Sequence, residues 1–252
     1  MRLAVSNESG GWADGRFGGW VFTAATVAVL TAGARGSLTA QVGHDPATSP
    51  FRDVTTRQAF TAFGGWFSGN EAVAGVGAQP GAIAGLRFQT RLAGPLDLWA
   101  TFAGINSTRY VVNPDSPLTS RTTGPVNYGV VAADMALGFN LTGLKTWHGL
   151  APFISLGVGV TVPTDGTTDP GGYEARQNFT FVPGLGTRLA VSRSLSLHAE
   201  LRDYLIRYEW RLAYFEPTNT AVPPVLDRNE HGENDWTSNL ALSFGLSWRF
   251  SF

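Results

Sequence analysis

Cysteine is absent from the 252 residues, which removes thiolate metal sites, thiol catalysis and disulfides from consideration. Methionine is scarce, and charged residues make up only 15% of the chain, with a formal net charge of −1. So near-neutral a balance leaves no electrostatic footprint for nucleic acid, and none is expected as a partner. Long apolar runs are missing as well. None reaches the roughly 18 residues that a membrane-spanning helix needs, apart from a marginal one near the N-terminus. If this chain enters a membrane it does so as a closed barrel, since only closure satisfies strand backbones in lipid. Abundance lies elsewhere, in 31 glycines and 12% aromatic residues, a mixture that favours strands and tight turns over helices.

The marginal run is Trp20 to Ala34, WVFTAATVAVLTAGA, preceded by Arg2 and Arg16. It has the form of a signal-peptide apolar region, with cleavage after Ala34 or after Ala40; a buried helix or an anchor is the competing reading. The leader ahead of it carries Glu8 and Asp14, which is compatible with a later translation start. Residues 1–40 are therefore expected to be a cleaved signal peptide, 41–57 a short polar periplasmic lead-in, and 58–252 a single barrel. Cleavage at Ala40 leaves 252 − 40 = 212 residues, a suitable length for one small barrel.

The other end of the chain reads TSNLALSFGLSWRFSF. Leu240, Leu242, Phe244, Leu246, Trp248, Phe250 and Phe252 alternate with Ala241, Ser243, Gly245, Ser247, Arg249 and Ser251. A period of two held this long is a strand with one apolar and one polar face. Seven further strands are expected upstream. Gln58–Ser68 has an undecided face because Gly64 and Gly65 interrupt its alternation. Gly81–Leu92 sets Ala84, Leu86, Phe88 and Leu92 against Ile83, Arg87, Gln89 and Arg91. Leu96–Ile105, Val126–Thr142, Ala151–Val162, Tyr173–Val191 and Leu195–Tyr208 follow. Between them, long polar connections (Gly69–Pro80, Asn106–Pro125, Pro163–Gly172, Glu209–Trp236) alternate with short turns such as Ala93-Gly94-Pro95, GLKTWHGL and Ser192-Arg193-Ser194. That asymmetry is the layout of a transmembrane barrel with long loops outside and short turns in the periplasm.

A soluble eight-stranded barrel shares the same period with its faces inverted, so composition has to choose. The polar positions are mostly Gly, Ser, Thr and Ala with scattered charges and almost no Lys. Small residues suit a narrow lumen, whereas a solvated outer face normally carries many Lys and Glu. The expected fold class is all-β, an eight-stranded antiparallel up-and-down transmembrane β-barrel.

The terminal segment, with Gly245, Trp248, Phe250 and the final Phe252, resembles the assembly signal of bacterial outer-membrane barrels. In layout, residues 58–252 resemble the small barrels of the OmpA, OmpX and OmpW type. The resemblance implies residence in a Gram-negative outer membrane, contact with outer-membrane lipid and lipopolysaccharide, and delivery by periplasmic chaperones to the barrel-assembly machinery. It leaves activity and oligomeric state open, because this fold hosts unrelated functions. The peptidoglycan-binding domain of OmpA-type proteins has no expected counterpart after Phe252.

The inward faces carry Arg87, Arg91, Asp97, Asp134, Arg188, His198, Glu200, Arg202 and Arg249. Side chains suffice to fill so narrow an interior, and charges there must pair. One reading is an acid–base network that fills a polar lumen, in a protein whose role is structural or lies in surface contacts of its loops. The others are a narrow pore or lateral path for small hydrophobic molecules, and an envelope lipid hydrolase. Interleaved acids and bases favour the filled lumen over a single-sign ring of charge. Against the hydrolase, the outer-membrane lipid A deacylases place His and Ser two residues apart on a strand, while here His198 is followed at that spacing by Glu200. The four histidines, His44, His148, His198 and His231, lack metal-ligand spacing. Asp227, Glu230, His231, Glu233 and Asp235 read as a solvated acidic loop. No enzyme activity, cofactor or metal is expected. Asp203 breaks parity on the lipid face and is placed at the outer rim, because an unpaired carboxylate in hydrocarbon costs a few kcal/mol. Trp248, Phe250 and Phe252 are expected at a periplasmic aromatic girdle, and Tyr204, Tyr208, Trp210 and Tyr214 at or beyond the outer one.

Overall fold

The computed structural model describes residues 49–164, 168–170 and 172–251. The expected signal peptide, residues 41–48 of the polar lead-in and the terminal Phe252 lie outside the described residues. Twelve strands form: β1 (Phe51–Asp53), β2 (Gln58–Phe67), β3 (Gly81–Ala93), β4 (Leu96–Val112), β5 (Thr122–Asn140), β6 (Lys145–Trp147), β7 (Leu150–Pro163), β8 (Asn178–Ala190), β9 (Leu195–Asp203), β10 (Leu205–Glu209), β11 (Asn234–Thr237) and β12 (Leu240–Phe250). Eight of them, β2, β3, β4, β5, β7, β8, β9 and β12, make one closed antiparallel ring. β12 pairs with β9 on one side and with β2 on the other, so that Leu246 lies opposite both Leu197 and Ala62. The pairing of β7 with β8 completes the circuit. Closure leaves these eight strands without an unpaired edge.

Side-chain direction decides between the two barrel classes. Trp66, Leu86, Phe102, Met135 and Phe244 point outward and are each more than half exposed, and Leu137, Ile154, Leu156, Phe179, Leu185, Leu242, Leu246 and Trp248 continue the same apolar belt. Thr61, Arg87, Gln89, Thr101, Asp134, Ser155, Thr161, His198, Glu200, Arg202, Ser243 and Ser247 point inward and are buried. A soluble barrel has the reverse arrangement, and an apolar patch of this extent in water would drive association. The undecided face of the first strand is settled by the same criterion: Thr61, Phe63 and Phe67 are inside, and Phe60 and Trp66 outside. Strands of 10 and 11 residues, as in β2 and β12, are long enough to cross a bilayer when tilted.

Inward glycines serve packing. A Cβ on Gly138 would strike the indole of Trp99, one on Gly186 would meet the ring of Phe153, and one on Gly85 that of Phe63. Each glycine thus opens room for a large ring inside a narrow tube. At the turn end, Gly94 adopts φ +50° between β3 and β4, a left-handed conformation that glycine takes without steric cost.

Four expectations need correction. The polar stretch Asn106–Pro125 is mostly strand: β4 and β5 run on as a hairpin, with Ser107 opposite Tyr128 and Val112 opposite Thr122, leaving only 113–121 as loop. Its Thr, Ser and Pro content resembles loop composition, yet Ser107 and Arg109 remain on the inward period and are buried. The strand expected from Tyr173 begins at Asn178. The seventh strand breaks at Tyr204, after which β10 leaves β12 and pairs with β8 and β11. There Asp203 accepts hydrogen bonds from the Ser238 hydroxyl at 2.8 Å and the Asn239 amide at 2.9 Å, so its carboxylate is satisfied at the strand end. Finally, Tyr204, Tyr208, Trp210 and Tyr214 are buried, not displayed on an outer girdle. Their inward parity continues past the break, and they join Phe67, Ile83, Ile105, Tyr128 and Tyr173 in an apolar core at the loop end. The interior is therefore charged in one part and aromatic in another, where the sequence suggested a polar lumen throughout.

Candidate functional site in the lumen

Alternation on five strands aims the charged residues at one another. Arg87 on β3 extends Nη2 to Glu200 Oε2 on β9 at 2.6 Å, and its Nε donates to the Thr101 hydroxyl on β4 at 3.1 Å. His198, two residues before Glu200 and hence on the same face, brings Nε2 to 3.2 Å from Glu200 Oε2 and 3.4 Å from Arg87 Nη1. Arg202, the next inward residue, grips Asp134 with both Nη atoms, at 2.6 and 3.1 Å. Its Nε lies 3.8 Å from Glu200 Oε1, which links the two ion pairs. Nearer the short turns, Arg188 Nη2 donates to Asn140 Oδ1 at 3.1 Å and lies 3.5 Å from Asp97, while Asn140 Nδ2 donates to Asp97 Oδ2 at 2.9 Å.

Aromatic faces complete the seats of these guanidiniums. Arg87 lies over Trp99 at 4.7 Å and Arg188 over Phe153 at 4.9 Å. Trp99 and Phe153 meet edge to face with centroids 5.1 Å apart, and His198 stacks on Phe153 at 5.4 Å. Cation–π contact of this kind gains strength where water is excluded. Three arginines thus face three carboxylates around one imidazole. Such balance is what a low-dielectric interior demands, because one uncompensated buried ion costs several kcal/mol.

Of the nine lumen residues named from the sequence, Arg87, Asp97, Asp134, Arg188, His198, Glu200 and Arg202 come together in this way. Arg91 and Arg249 do not join them. Arg91 Nη1 donates to the Val54 carbonyl at 3.2 Å, and Arg249 donates to the Ser192 carbonyl; both tie down backbone at the short-turn mouth. In the terminal strand, Gly245 lies against Phe63 on β2, Trp248 is exposed on the belt, and Phe250 stacks on Phe60 at 6.0 Å. That last contact joins the two strands at which the barrel closes.

Sequence reasoning missed a further buried ion pair, apart from the lumen network. Arg109, on the extended part of β4, binds Asp169 through both Nη atoms at 2.6 and 2.7 Å, beneath Tyr128 and Tyr173. The inward period continued past Ile105 would have found Arg109; no local signal marks Asp169, which stands in a loop. Around this pair the loops hold one another: the Tyr214 hydroxyl donates to the Val112 carbonyl at 3.4 Å, Arg121 to the carbonyls of Pro223 and Pro224, and Asn219 to Asp115. Burial pushes the phenols of Tyr173 and Tyr214 above their usual range. On the loop surface, the Arg176 guanidinium holds Glu174 below the usual carboxylate range. Among the described residues, no group of three His, Cys, Asp or Glu is arranged to hold a metal ion.

Neither protein-family models nor curated protein sequences give a match to the chain. Among solved structures it is similar to Neisserial surface protein A (14% identity over 80% of this chain and 98% of that one, TM-score 0.46). It is also similar to the N-terminal β-barrel domain of Pseudomonas aeruginosa OprF (13%, 77% and 98%, TM-score 0.43) and to the Yersinia pestis outer membrane protein Ail in a phospholipid bilayer nanodisc (10%, 77% and 99%, TM-score 0.38). The assignment rests on the barrel itself. A closed eight-stranded ring, apolar outside and charged within, is an integral β-barrel of the outer-membrane type.

Proposed function

We propose that this barrel is a non-enzymatic, non-conducting component of the outer membrane that works through the loops at its long-loop end, displayed at the cell surface. The observation that carries this reading is how the lumen is filled. Guanidinium–carboxylate pairs and the Trp99–Phe153 contact occupy it between β3, β4, β5, β8 and β9, and the aromatic core under the loops continues the filling. Eight strands leave an interior that side chains alone can occupy. The loops support a surface role because their mutual hydrogen bonds present a fixed shape to a partner. His198 and Glu200 face each other behind the wall, away from any lipid substrate, and they serve in charge pairing. On this reading the terminal strand is the feature met by periplasmic chaperones and the assembly machinery, and lipopolysaccharide surrounds the outer half of the belt.

Planar-bilayer recording on refolded protein tests the proposal. The expected trace is the unmodified bilayer baseline over a wide voltage range. Stable, protein-dependent unitary steps would overturn the closed lumen and favour the narrow pore.

A further inference from the structure

Close to the loop end, one side of the barrel changes character in a definite order. Phe179 on β8 and Trp236 on β11 both point outward and meet edge to face, with centroids 6.2 Å apart. Arg207 on β10 is paired across the strands with Trp236 and is also exposed. Just beyond lies a groove of about 210 Å³, lined by Arg176, Arg207, Arg211 and Gln177 on its rim and by Tyr173 and Trp210 below. The exposed Leu212 follows directly on Arg211.

Three arginines and two glutamates, Glu174 and Glu209, line the groove, which leaves an excess of one positive charge. Glu174 is engaged by Arg176 at 2.5 Å and lies 3.9 Å from Arg211. Arg207 forms no ion pair among the described residues. A guanidinium with an open fork, set where an apolar belt gives way to polar loops, matches phosphate geometry better than a lysine would. Aromatic rings at that level sit where lipid tails meet headgroups.

The geometry points to a binding site for the phosphorylated headgroup of an outer-leaflet lipid: the acyl chains lie on the Phe179–Trp236 side of the belt, and the phosphate is held by Arg207 and Arg211. The volume is below the roughly 300–1,000 Å³ of drug-sized sites, so it admits a headgroup and not a whole lipid. The inference rests on the reading of the long-loop end as the outer-leaflet end, but its test does not.

Because the chain has no cysteine, Gln177→Cys can carry a single environment-sensitive fluorophore at the groove. The labelled barrel, in uncharged polyoxyethylene micelles, is titrated with diphosphorylated lipid A, with the same glycolipid after dephosphorylation, and with inorganic phosphate. The expected result is a saturable response to diphosphorylated lipid A alone. Arg207→Gln and Arg211→Gln should each weaken it roughly tenfold or more, as loss of a charge-assisted hydrogen bond implies. Arg193→Gln, at the short-turn end, should leave it unchanged. Equal response to the dephosphorylated lipid would reduce the site to apolar adsorption, and equal response to inorganic phosphate would make it a free-anion site. Unaltered affinity in both arginine variants, with heat-modifiable mobility retained, would also sink the proposal. Micelles have no leaflets, so none of these outcomes depends on which end faces outward; protease access to the loops on intact cells tests that separately.

Discussion

Arg87 and Glu200 stand 113 positions apart in the chain, yet the arginine donates to the carboxylate at 2.6 Å with both side chains shielded from solvent. Removing one partner leaves the other uncompensated. Glu200→Gln should therefore cost about 3–5 kcal/mol, and Arg87→Met a similar amount. Because the double variant Arg87→Met/Glu200→Gln keeps acids and bases in balance, its loss should be smaller than the two single losses added together. Denaturant unfolding in lipid vesicles, followed by gel mobility, supplies the four stabilities of the cycle. Simple additivity would mean that the pair is not coupled.

Leu246 and Ser247 are chain neighbours on opposite faces of β12. At mid-membrane depth Leu246→Arg should cost about 2–4 kcal/mol of folding into bilayers. Ser247→Arg instead removes a 2.7 Å hydrogen bond to Thr61 and crowds the lumen, without placing charge in lipid. Single cysteines read the environment directly: a membrane-confined quencher should reach labels at 242, 244 and 246 and miss those at 243, 245 and 247. Quenching of neither set would count against the membrane assignment.

At the loop end, Asp169→Asn weakens the bidentate grip on Arg109. Loop cleavage by trypsin should rise by an order of magnitude or more, while the strand ladder stays heat-modifiable. An unchanged cleavage rate would show that other contacts hold the loops.

Alkaline pH offers a second probe of the same region. Burial raises the phenols of Tyr173 and Tyr214 above the ordinary tyrosine value of about 10. The unfolded loop releases those protons first, so the stability they contribute is complete below about pH 10 and declines as pH rises through their native values. Tyrosinate absorbance should lag behind that of free tyrosine, and Tyr214→Phe should lessen the decline. A pH-independent cleavage rate between pH 9 and 11.5 would contradict this.

Replacing Trp248 and Phe250 with serine removes Phe250 from its stack on Phe60. The expected outcome is exported but unassembled chain. A heat-modifiable barrel formed at the parental rate would show that these aromatics are dispensable for closure.

The ring was legible in the sequence because alternation is local: each strand announces its two faces without reference to its neighbours. Lumen partners could be named to the same extent, since Arg87, Asp134, Glu200 and Arg202 all fall on inward positions. Who pairs with whom was not legible, because it depends on the register between strands. Arg91 and Arg249 share the period but lie at the mouth, where backbone carbonyls are within reach. The loop core escaped for another reason. Tyr204, Tyr208 and Trp210 keep strand parity beyond the membrane, and their burial depends on the covering loops. Asp169 reaches Arg109 only once those loops have folded.

The pairing of β1 with β6, next to β7, has a consequence for the order of assembly. Round the ring, β7 and β2 are four strands apart out of eight, so they stand on opposite walls. The four residues Val54–Arg57 must therefore cross the mouth, and at about 3.3 Å per residue they have little slack. They form a strap, tied by Val54 to Leu144 and by Arg57 to Ser251. A strap drawn across a diameter can tighten only when both walls stand at their final separation. The seam between β2 and β12 and this crossing therefore report on each other: the strap comes under tension as the ring reaches its full circumference, and a gaping seam leaves it loose.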